Sequence, residues 1–366
     1  MVRRFVAEFA GDARWARCAR FVRGAGVAWL GAALMLFVGA ERAGIADDAN
    51  RLPYAIAIHG GAGLEPDKLD EAGRRQQTEA LTRAIQRGRD ILAQGGSALD
   101  AVEQTIRILE DEPLYNAGRG AVFNNQGKHE LDAAIMDGKL RKAGSVAGVT
   151  TVRNPISLAR LVMTETSHVL LMGDGAEKFA DEMRDRPQLQ RVPNSFFSTE
   201  HRRREWLEAV QKERQQGAAD KSEKPGKSEK TGKGTVGCVA LDQQGNLAAG
   251  TSTGGLTNKK WGRVGAVPII GAGTFADNRT CAVSGTGTGE LFLLNSAAFQ
   301  IHALMQHRSL SLEQATQQII DEVMPADSGG IIAVDRHGRI TMRCNTPGMA
   351  RAALDSTGKL DIRLER

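Results

Sequence analysis

Apolar residues recur along this chain at two spacings, and the change from one to the other marks out its elements. From Leu69 to Ala93, Leu81, Ile85 and Ile91-Leu92 fall on one side of a 3.6-residue repeat and Arg and Gln on the other, which predicts a helix ended by Gly95-Gly96. Ser97 is placed to cap a second helix, Ala98 to Asp111, with Val102, Ile106 and Leu109 on its apolar side and Pro113 as its stop. Pro155 and Ile156 open a third, carrying Leu158, Leu161 and Val162, and His201 to Arg214 reads as an exposed helix. Glu290–His307 and Leu312–Val323 are amphipathic. The strand pattern covers Tyr54 to Ile58, which leads into the glycine turn His59-Gly60-Gly61-Ala62-Gly63, and then residues 130–137 and 144–152. Thr235–Asp242 and Leu247–Thr251 flank Gln243-Gln244-Gly245-Asn246, a hairpin signal. Gly271–Asp277 and Cys281–Ser284 are further short strands, and Gly330–Asp335 with Arg339–Cys344 form a second hairpin through Arg336-His337-Gly338. Strands and helices come in blocks rather than alternating, the order of an α+β layered protein.

Composition removes some functions. Of the net charge of +5 over 366 residues, residues 1–40 hold +4, from Arg3, Arg4, Arg14, Arg17, Arg20 and Arg23 against one Glu and one Asp. The remainder has no basic excess to track a phosphate backbone, so no nucleic-acid partner is expected. The same 40 residues resemble an export signal: a basic stretch to Arg23, an apolar run Val27 to Val38, and the small-residue site Val38-Gly39-Ala40, with a second candidate cut after Ala46. The run is short for a membrane span. A periplasmic or secreted protein without a stable membrane span is therefore expected. Cys18 would leave with the signal, and Cys238, Cys281 and Cys344 form no C-x-x-C spacing. Cys238 and Cys281 lie in apolar strands and read as buried free thiols. From Gln215 to Gly234 the chain holds Lys, Glu, Ser and Gly and almost nothing apolar, which predicts a flexible linker.

That linker ends at Gly234-Thr235-Val236-Gly237, immediately before a strand. If the chain is cut before Thr235, the residue gains a free α-amine, of ordinary pKa about 7.7–8.0, beside its own hydroxyl. Such an amine can act as the base for the hydroxyl. Three more glycine-flanked segments follow: Thr251-Ser252-Thr253-Gly254-Gly255, Gly262-Arg263-Val264-Gly265 and Gly285-Thr286-Gly287-Thr288-Gly289. The last has neither the Lys nor the spacing of a phosphate loop. His59 has no second His or carboxylate at ligand spacing, so a hydrogen-bonding role is favoured over catalysis or metal binding. The small residues of Leu114-Tyr115-Asn116-Ala117-Gly118-Arg119-Gly120 let the backbone turn its carbonyls inward, as a monovalent-cation loop does, although spacing alone makes it only a turn.

Taken together these segments resemble the plant-type asparaginase and isoaspartyl peptidase family of N-terminal-nucleophile hydrolases. The resemblance is carried in order by His59-Gly60-Gly61-Ala62-Gly63, Leu114-Tyr115-Asn116-Ala117-Gly118, Gly234-Thr235-Val236-Gly237, Thr253-Gly254-Gly255-Leu256-Thr257-Asn258-Lys259 and Asn345-Thr346-Pro347-Gly348-Met349. It spans residues 54 to about 351. It implies a four-layer αββα sandwich, autocleavage between Gly234 and Thr235 into α (41–234) and β (235–366) subunits, and an (αβ)₂ assembly. It also implies Thr235 as nucleophile, Thr253 as the threonine that orients it, and Thr286 and Gly287 as oxyanion donors. Arg263 would grip a substrate α-carboxylate, with Val264, Gly265, Ala266, Thr288 and Gly289 around the substrate. The loop Leu109, Glu110, Glu112, Tyr115, Ala117 and Arg119 would bind a structural sodium ion through backbone carbonyls, and no catalytic cofactor is implied.

In one place the chain departs from the family pattern. Where relatives carry an Asp that pairs with the substrate α-ammonium, this chain has Ala266, followed by Val267. Trp261 is a second unusual residue, expected in the pocket wall, and Asp277 is a candidate to replace the missing carboxylate. The expected activity is hydrolysis of β-aspartyl amide bonds in asparagine or short peptides. The alternatives are the same chemistry on an amine-blocked or glycosylated asparagine, or a catalytically weak ligand-binding relative.

Overall fold

The computed structural model describes residues 53–219 and 234–366. Strand β1 (Ala55–Ala62) is followed by helices α1 (Glu71–Ala93) and α2 (Ala98–Asp111), strands β2 (Leu131–Asp137) and β3 (Lys142–Val149), helix α3 (Pro155–Glu165), strand β4 (Leu170–Met172), and helices α4 (Gly173–Glu182) and α5 (Glu200–Ala219). Then come β5 (Val236–Leu241), β6 (Leu247–Thr253), β7 (Thr274–Ala276), β8 (Cys281–Gly287), α6 (Gly289–Leu294), α7 (Ala297–Arg308) and α8 (Leu312–Gln317), the last continued by a π-helical turn, Gln318–Val323. Strands β9 (Gly329–Asp335), β10 (Ile340–Cys344), β11 (Gly348–Asp355) and β12 (Leu360–Glu365) end the chain.

Eight strands form one sheet in the order β12-β11-β1-β5-β6-β2-β3-β4, and four form a second in the order β10-β9-β8-β7. All pairings are antiparallel except β3 with β4. Helices α1, α2 and α3 cover one face of the larger sheet, and α7 and α8 cover the outer face of the smaller. The result is the expected four-layer αββα sandwich. Alternation along a strand separates its two faces. Ile56 and Ile58 of β1 pack under the helices, whereas Ala55 and Ala57 pack between the sheets. On β5, Cys238 and Ala240 face the helices while Val239 and Leu241 face the second sheet. The same parity carries His59, Gly237 and Thr235 to the space between the sheets, at the end where the apolar filling stops.

Local signals explain the clearest boundaries. Ser97 accepts from Asp100 N at 3.1 Å and opens α2, and Asp70 does the same for α1 through Gly73 N at 2.7 Å. Buried Asp242 does two jobs: one oxygen takes Ala98 N at the start of α2, and the other takes Gln244 N and Asn246 N, closing the β5–β6 turn.

Several expectations need correction. Strand β1 does not end at Ile58. It runs through the glycines to Ala62, with a register shift between His59 and Gly61 that the glycine at φ +115° absorbs. Strand β6 extends to Thr253, β8 extends to Gly287, and β7 keeps only three residues of Gly271–Asp277. The helix expected over 290–307 is two, broken at Ser296, which adopts a left-handed φ of 44°. Helix α5 reaches Ala219, so the first residues of the expected linker are helical, because Gln and Ala are good helix formers. The expected export signal, and residues 220–233 of the linker, lie outside the described residues. Cys238, Cys281 and Cys344 are free and buried, as expected for the first two. Among the described residues no helix is long and apolar enough to cross a membrane.

Replacing Asp242 by Ala strands three backbone N–H groups at once. At about 1 kcal/mol net for each lost bond, Asp242→Ala should lower unfolding free energy by about 2–3 kcal/mol, read as a drop in the urea midpoint. An unchanged midpoint would show that water replaces the carboxylate.

Candidate active site

Thr235 sits one residue before β5, with its side chain in line with the inward-facing row of that strand. Across the β5–β6 pairing, Thr253 at the end of β6 brings its Oγ1 to 2.9 Å from Thr235 Oγ1. Thr253 Oγ1 also accepts Gly255 N at 3.1 Å, which fixes its rotamer. The preceding carbonyl is held as well. Gly234 O accepts the backbone N–H of Asn116 at 3.0 Å. Asn116 is itself fastened on three sides: its O takes Gly254 N, its Nδ2 donates to Gly255 O at 2.7 Å, and its Oδ1 takes Val122 N at 3.0 Å. Gly234 has φ +127°, a region that suits glycine, and lies against Gly61, where any β-carbon would overlap the Gly234 Cα. The bulge at the end of β1 thus leaves room for the 234–235 junction.

Beneath Thr235, His59 is buried between the sheets. Its Nδ1 donates to Thr235 O at 2.9 Å, and its Nε2 lies 2.9 Å from Ser284 Oγ. Burial pulls its pKa down to about 4, only partly offset by the bond to Thr235, so the ring is neutral.

The opposite wall comes from β8 and the loop before β7. Thr286 is buried, and its Oγ1 accepts Ala62 N at 3.1 Å, leaving its own O–H to donate. Thr235, Thr253, Thr286, Gly287, Arg263, Gly265, Ala266 and Gly289 line one pocket, joined by Gly255, Leu256, Val267, Gly285 and Phe292. Arg263 is the sole charged residue of that lining. Its guanidinium is engaged in a two-point pair with Glu290, Nε to Oε1 and Nη2 to Oε2, each 2.9 Å. The hydrogen bonds from Arg263 hold the Glu290 carboxyl below the usual carboxylate range.

The loop after α2 closes on itself. Arg119 N reaches Glu110 O at 2.6 Å, and Gly118, at φ +48°, presses against the same carbonyl. The two ends of the six-carbonyl set Leu109, Glu110, Glu112, Tyr115, Ala117 and Arg119 therefore meet. The Glu110 side chain ties this loop to β6 by accepting Ser252 Oγ at 2.6 Å, and to α3 by accepting Ile156 N at 3.1 Å. Burial raises its carboxyl to about 8. Among the described residues no group of His, Cys, Asp and Glu could hold a metal ion, so any cation here would rest on carbonyls.

Residues 52–363 match the family described as Asparaginase. The chain belongs to the asparaginase family. It is 48% identical over 302 residues to the isoaspartyl peptidase of Escherichia coli K12, covering 81% of this chain and 91% of that protein. It is 42% identical to a putative isoaspartyl peptidase/L-asparaginase of Dictyostelium discoideum, over 81% of this chain and 92% of the relative. It is also 37% identical to a probable isoaspartyl peptidase/L-asparaginase of Arabidopsis thaliana, over 84% and 98%.

Within this asparaginase-family pocket the expected residues are not all brought together. Val264 and Thr288 are absent from the lining, since the pocket is walled on that side by their glycine neighbours, Gly265 and Gly289. Trp261 is not a wall residue: it is 96% exposed, on a backbone at φ 56°. Asp277 does not reach in either. It is paired with Arg279 at 2.6 Å and with Arg141 at 3.3 Å, away from the lining. Asn116 and Glu290 were missed as site residues. Asn116 contributes a backbone N–H, which no residue type advertises, and Glu290 acts through Arg263.

His59 gives a pH signature. Its folded pKa of about 4 lies below the ordinary 6.5, so the folded state binds fewer protons between the two values. Its share of stability is fully present above pH 6.5 and is lost as pH falls through about 4. His59→Asn should flatten the loss of unfolding free energy between pH 6.5 and 4 relative to wild type. Parallel curves for the two proteins would mean that the ring titrates normally.

Proposed function

We propose that the chain is a self-processing threonine amidohydrolase that cleaves β-aspartyl amide bonds, as an isoaspartyl peptidase/L-asparaginase. The single observation that carries this reading is the meeting of Thr235 Oγ1 with Thr253 Oγ1 at 2.9 Å beside a Gly234 carbonyl already hydrogen-bonded by Asn116 N. In processing, Thr235 Oγ adds to the Gly234 carbonyl carbon while the Asn116 N–H steadies the charge developing on oxygen. Collapse breaks the Gly234–Thr235 amide and leaves an ester on Oγ. Water hydrolyses that ester, releasing the Gly234 carboxylate, the hydroxyl and a free α-amine.

That amine then serves as base. It takes the Oγ proton as Oγ attacks the β-carbonyl of the substrate, with Thr286 and Gly287 facing the oxyanion and Thr253 orienting the nucleophile. The leaving nitrogen departs with the proton as ammonia or an amino compound, and water frees aspartate from the acyl-enzyme. Arg263 supplies the fork for the substrate α-carboxylate, shared with or released by Glu290. In this reading the backbone carbonyls of the 109–119 loop would hold a sodium ion that would brace the loop carrying Asn116, and residues 1–40 direct export.

Thr235→Ala should remain one chain on a denaturing gel, while wild type runs as two fragments, the smaller beginning at Thr235. Wild type that stays whole after prolonged incubation would overturn the mechanism. Thr235→Ser keeps a hydroxyl and an amine and should retain part of both activities.

The pocket holds one cation and no carboxylate, so a substrate α-ammonium would face Ala266 and Val267 without a counter-charge. A charge-assisted hydrogen bond contributes about 1.5–3 kcal/mol, or roughly ten- to a hundredfold in binding. Ala266→Asp should therefore raise kcat/KM for free asparagine by about that factor and leave processing unchanged. No change in asparagine kinetics would show that the amine is already paired or is not a determinant.

A further inference from the structure

The second glycine of Gly234-Thr235-Val236-Gly237 has no part in the chemistry above, yet no other residue fits its place. A β-carbon on Gly237 would overlap both Ser284 Oγ and His59 Nε2. Gly237 pairs with His59 on β1 and with Thr251 on β6, and it faces β8 of the other sheet. The bond from His59 to Ser284 therefore passes across the bare Cα of Gly237. The glycine is a gap in β5 through which one sheet is hydrogen-bonded to the other.

The bonds through this gap form a chain whose proton order follows from its end. Thr235 O is a carbonyl and can only accept, so Nδ1 of His59 carries the hydrogen. The ring is neutral, so Nε2 is an acceptor and Ser284 must donate to it. Having used its hydrogen, Ser284 Oγ accepts from Thr251 Oγ1 at 2.7 Å. Thr251 in turn accepts from Thr274 Oγ1 at 2.7 Å. All four side chains are buried, and every hydroxyl points its hydrogen toward Thr235. Such a chain leaves the imidazole one tautomer, with its donor aimed at a single backbone oxygen.

We infer that His59 is a positioning residue for the nucleophile, locked in its Nδ1–H form by Ser284 through the gap at Gly237, and that it acts by pinning the carbonyl of Thr235. After processing, Thr235 is the first residue of its fragment, and nothing upstream restrains it. With its carbonyl held by His59 and its peptide running into β5, the Cα–C torsion is fixed. The free amine then stays beside Oγ instead of turning away, which is the geometry that amine-assisted attack requires. A neutral donor suits this task, because an imidazolium near the amine would oppose the positive charge that the amine gains when it takes the Oγ proton, and would cost much to bury. This inference rests on Thr235 as nucleophile.

The test uses the processed protein and steady-state hydrolysis of a β-aspartyl dipeptide. His59→Ala removes the hydrogen bonds to Thr235 O and from Ser284 Oγ and should lower kcat about tenfold or more with KM nearly unchanged, since no group in the substrate grip is touched. His59→Asn places an amide N–H where Nδ1 was and should recover most of that loss, whereas His59→Gln, which reaches instead toward Ser284, should not. Gly237→Ala, which keeps every hydrogen-bonding side chain but whose β-carbon forces His59 and Ser284 apart, should reproduce the kcat loss of His59→Ala. If His59→Ala does not fold or process, the comparison of Gly237→Ala and Ser284→Ala with wild type stands in its place, both losing kcat at constant KM. An unchanged kcat in these variants, or an Asn variant no better than Ala, overturns the inference. Wild type that neither processes nor turns over would instead bring down the nucleophile assignment itself.

Discussion

The two successive carbonyls of Gly234 and Thr235 are held by two different elements. Asn116 N grips the first and His59 Nδ1 the second, at 3.0 and 2.9 Å. The arrangement demands much of the surrounding fold. Asn116 must be tied to the turn after β6, which needs the α2–β2 loop to curl under Gly118. His59 must face the second sheet, which fixes the register of β1 against β5. A one-residue slip would send the ring to the helix side with Ile56 and Ile58. Gly61 must clear Gly234, and Gly237 must clear the His59–Ser284 bond. The glycine content of the chain is explained at these points by close approach rather than by flexibility.

The space between the sheets is graded along the strands. At one end it is filled by Val239, Leu241, Leu247 and Ala249, which hold the sandwich together. Next comes a layer of buried polar groups, His59, Thr251, Ser284 and Thr274, satisfied by one another. Thr235, Thr253 and Thr286 then stand where the sandwich opens. In the proposed mechanism a nucleophile at such a boundary has a rigid base on one side and access for substrate on the other. Under the proposed self-processing, the tight packing beneath is what keeps Thr235 in a defined position once it becomes a chain terminus.

Much of this was legible in the sequence where the signal is local. The limits of α2 follow from Ser97 and Pro113, and the β5–β6 hairpin from its polar turn. The threonines of the site were recognisable as a set because each stands among glycines. What was not legible depends on pairing across long separations. Strand β11 went unread because its partner β1 lies almost 300 residues away in sequence; β12, an edge strand paired only with β11, and helix α4 went unread because their apolar sides are short. The helix expected across Ser296 failed since side-chain periodicity is blind to a left-handed residue. Asn116 escaped as a site residue because it offers only a backbone N–H. Glu290 escaped because its effect is relayed: it occupies the fork of Arg263, so the proposed grip on a substrate carboxylate would begin from a paired arginine rather than a free one.

The central claim is that the hydroxyl of Thr235 forms the covalent bond to substrate. The most direct measurement is the mass of the two fragments after rapid acid quench during turnover of a slow β-aspartyl substrate, followed by peptide mapping. The account predicts a β-aspartyl ester on the peptide that begins with Thr235, absent without substrate and lost on longer incubation. An adduct on any other residue, or turnover with none trapped on Thr235 under conditions where acylation outpaces hydrolysis, would contradict it.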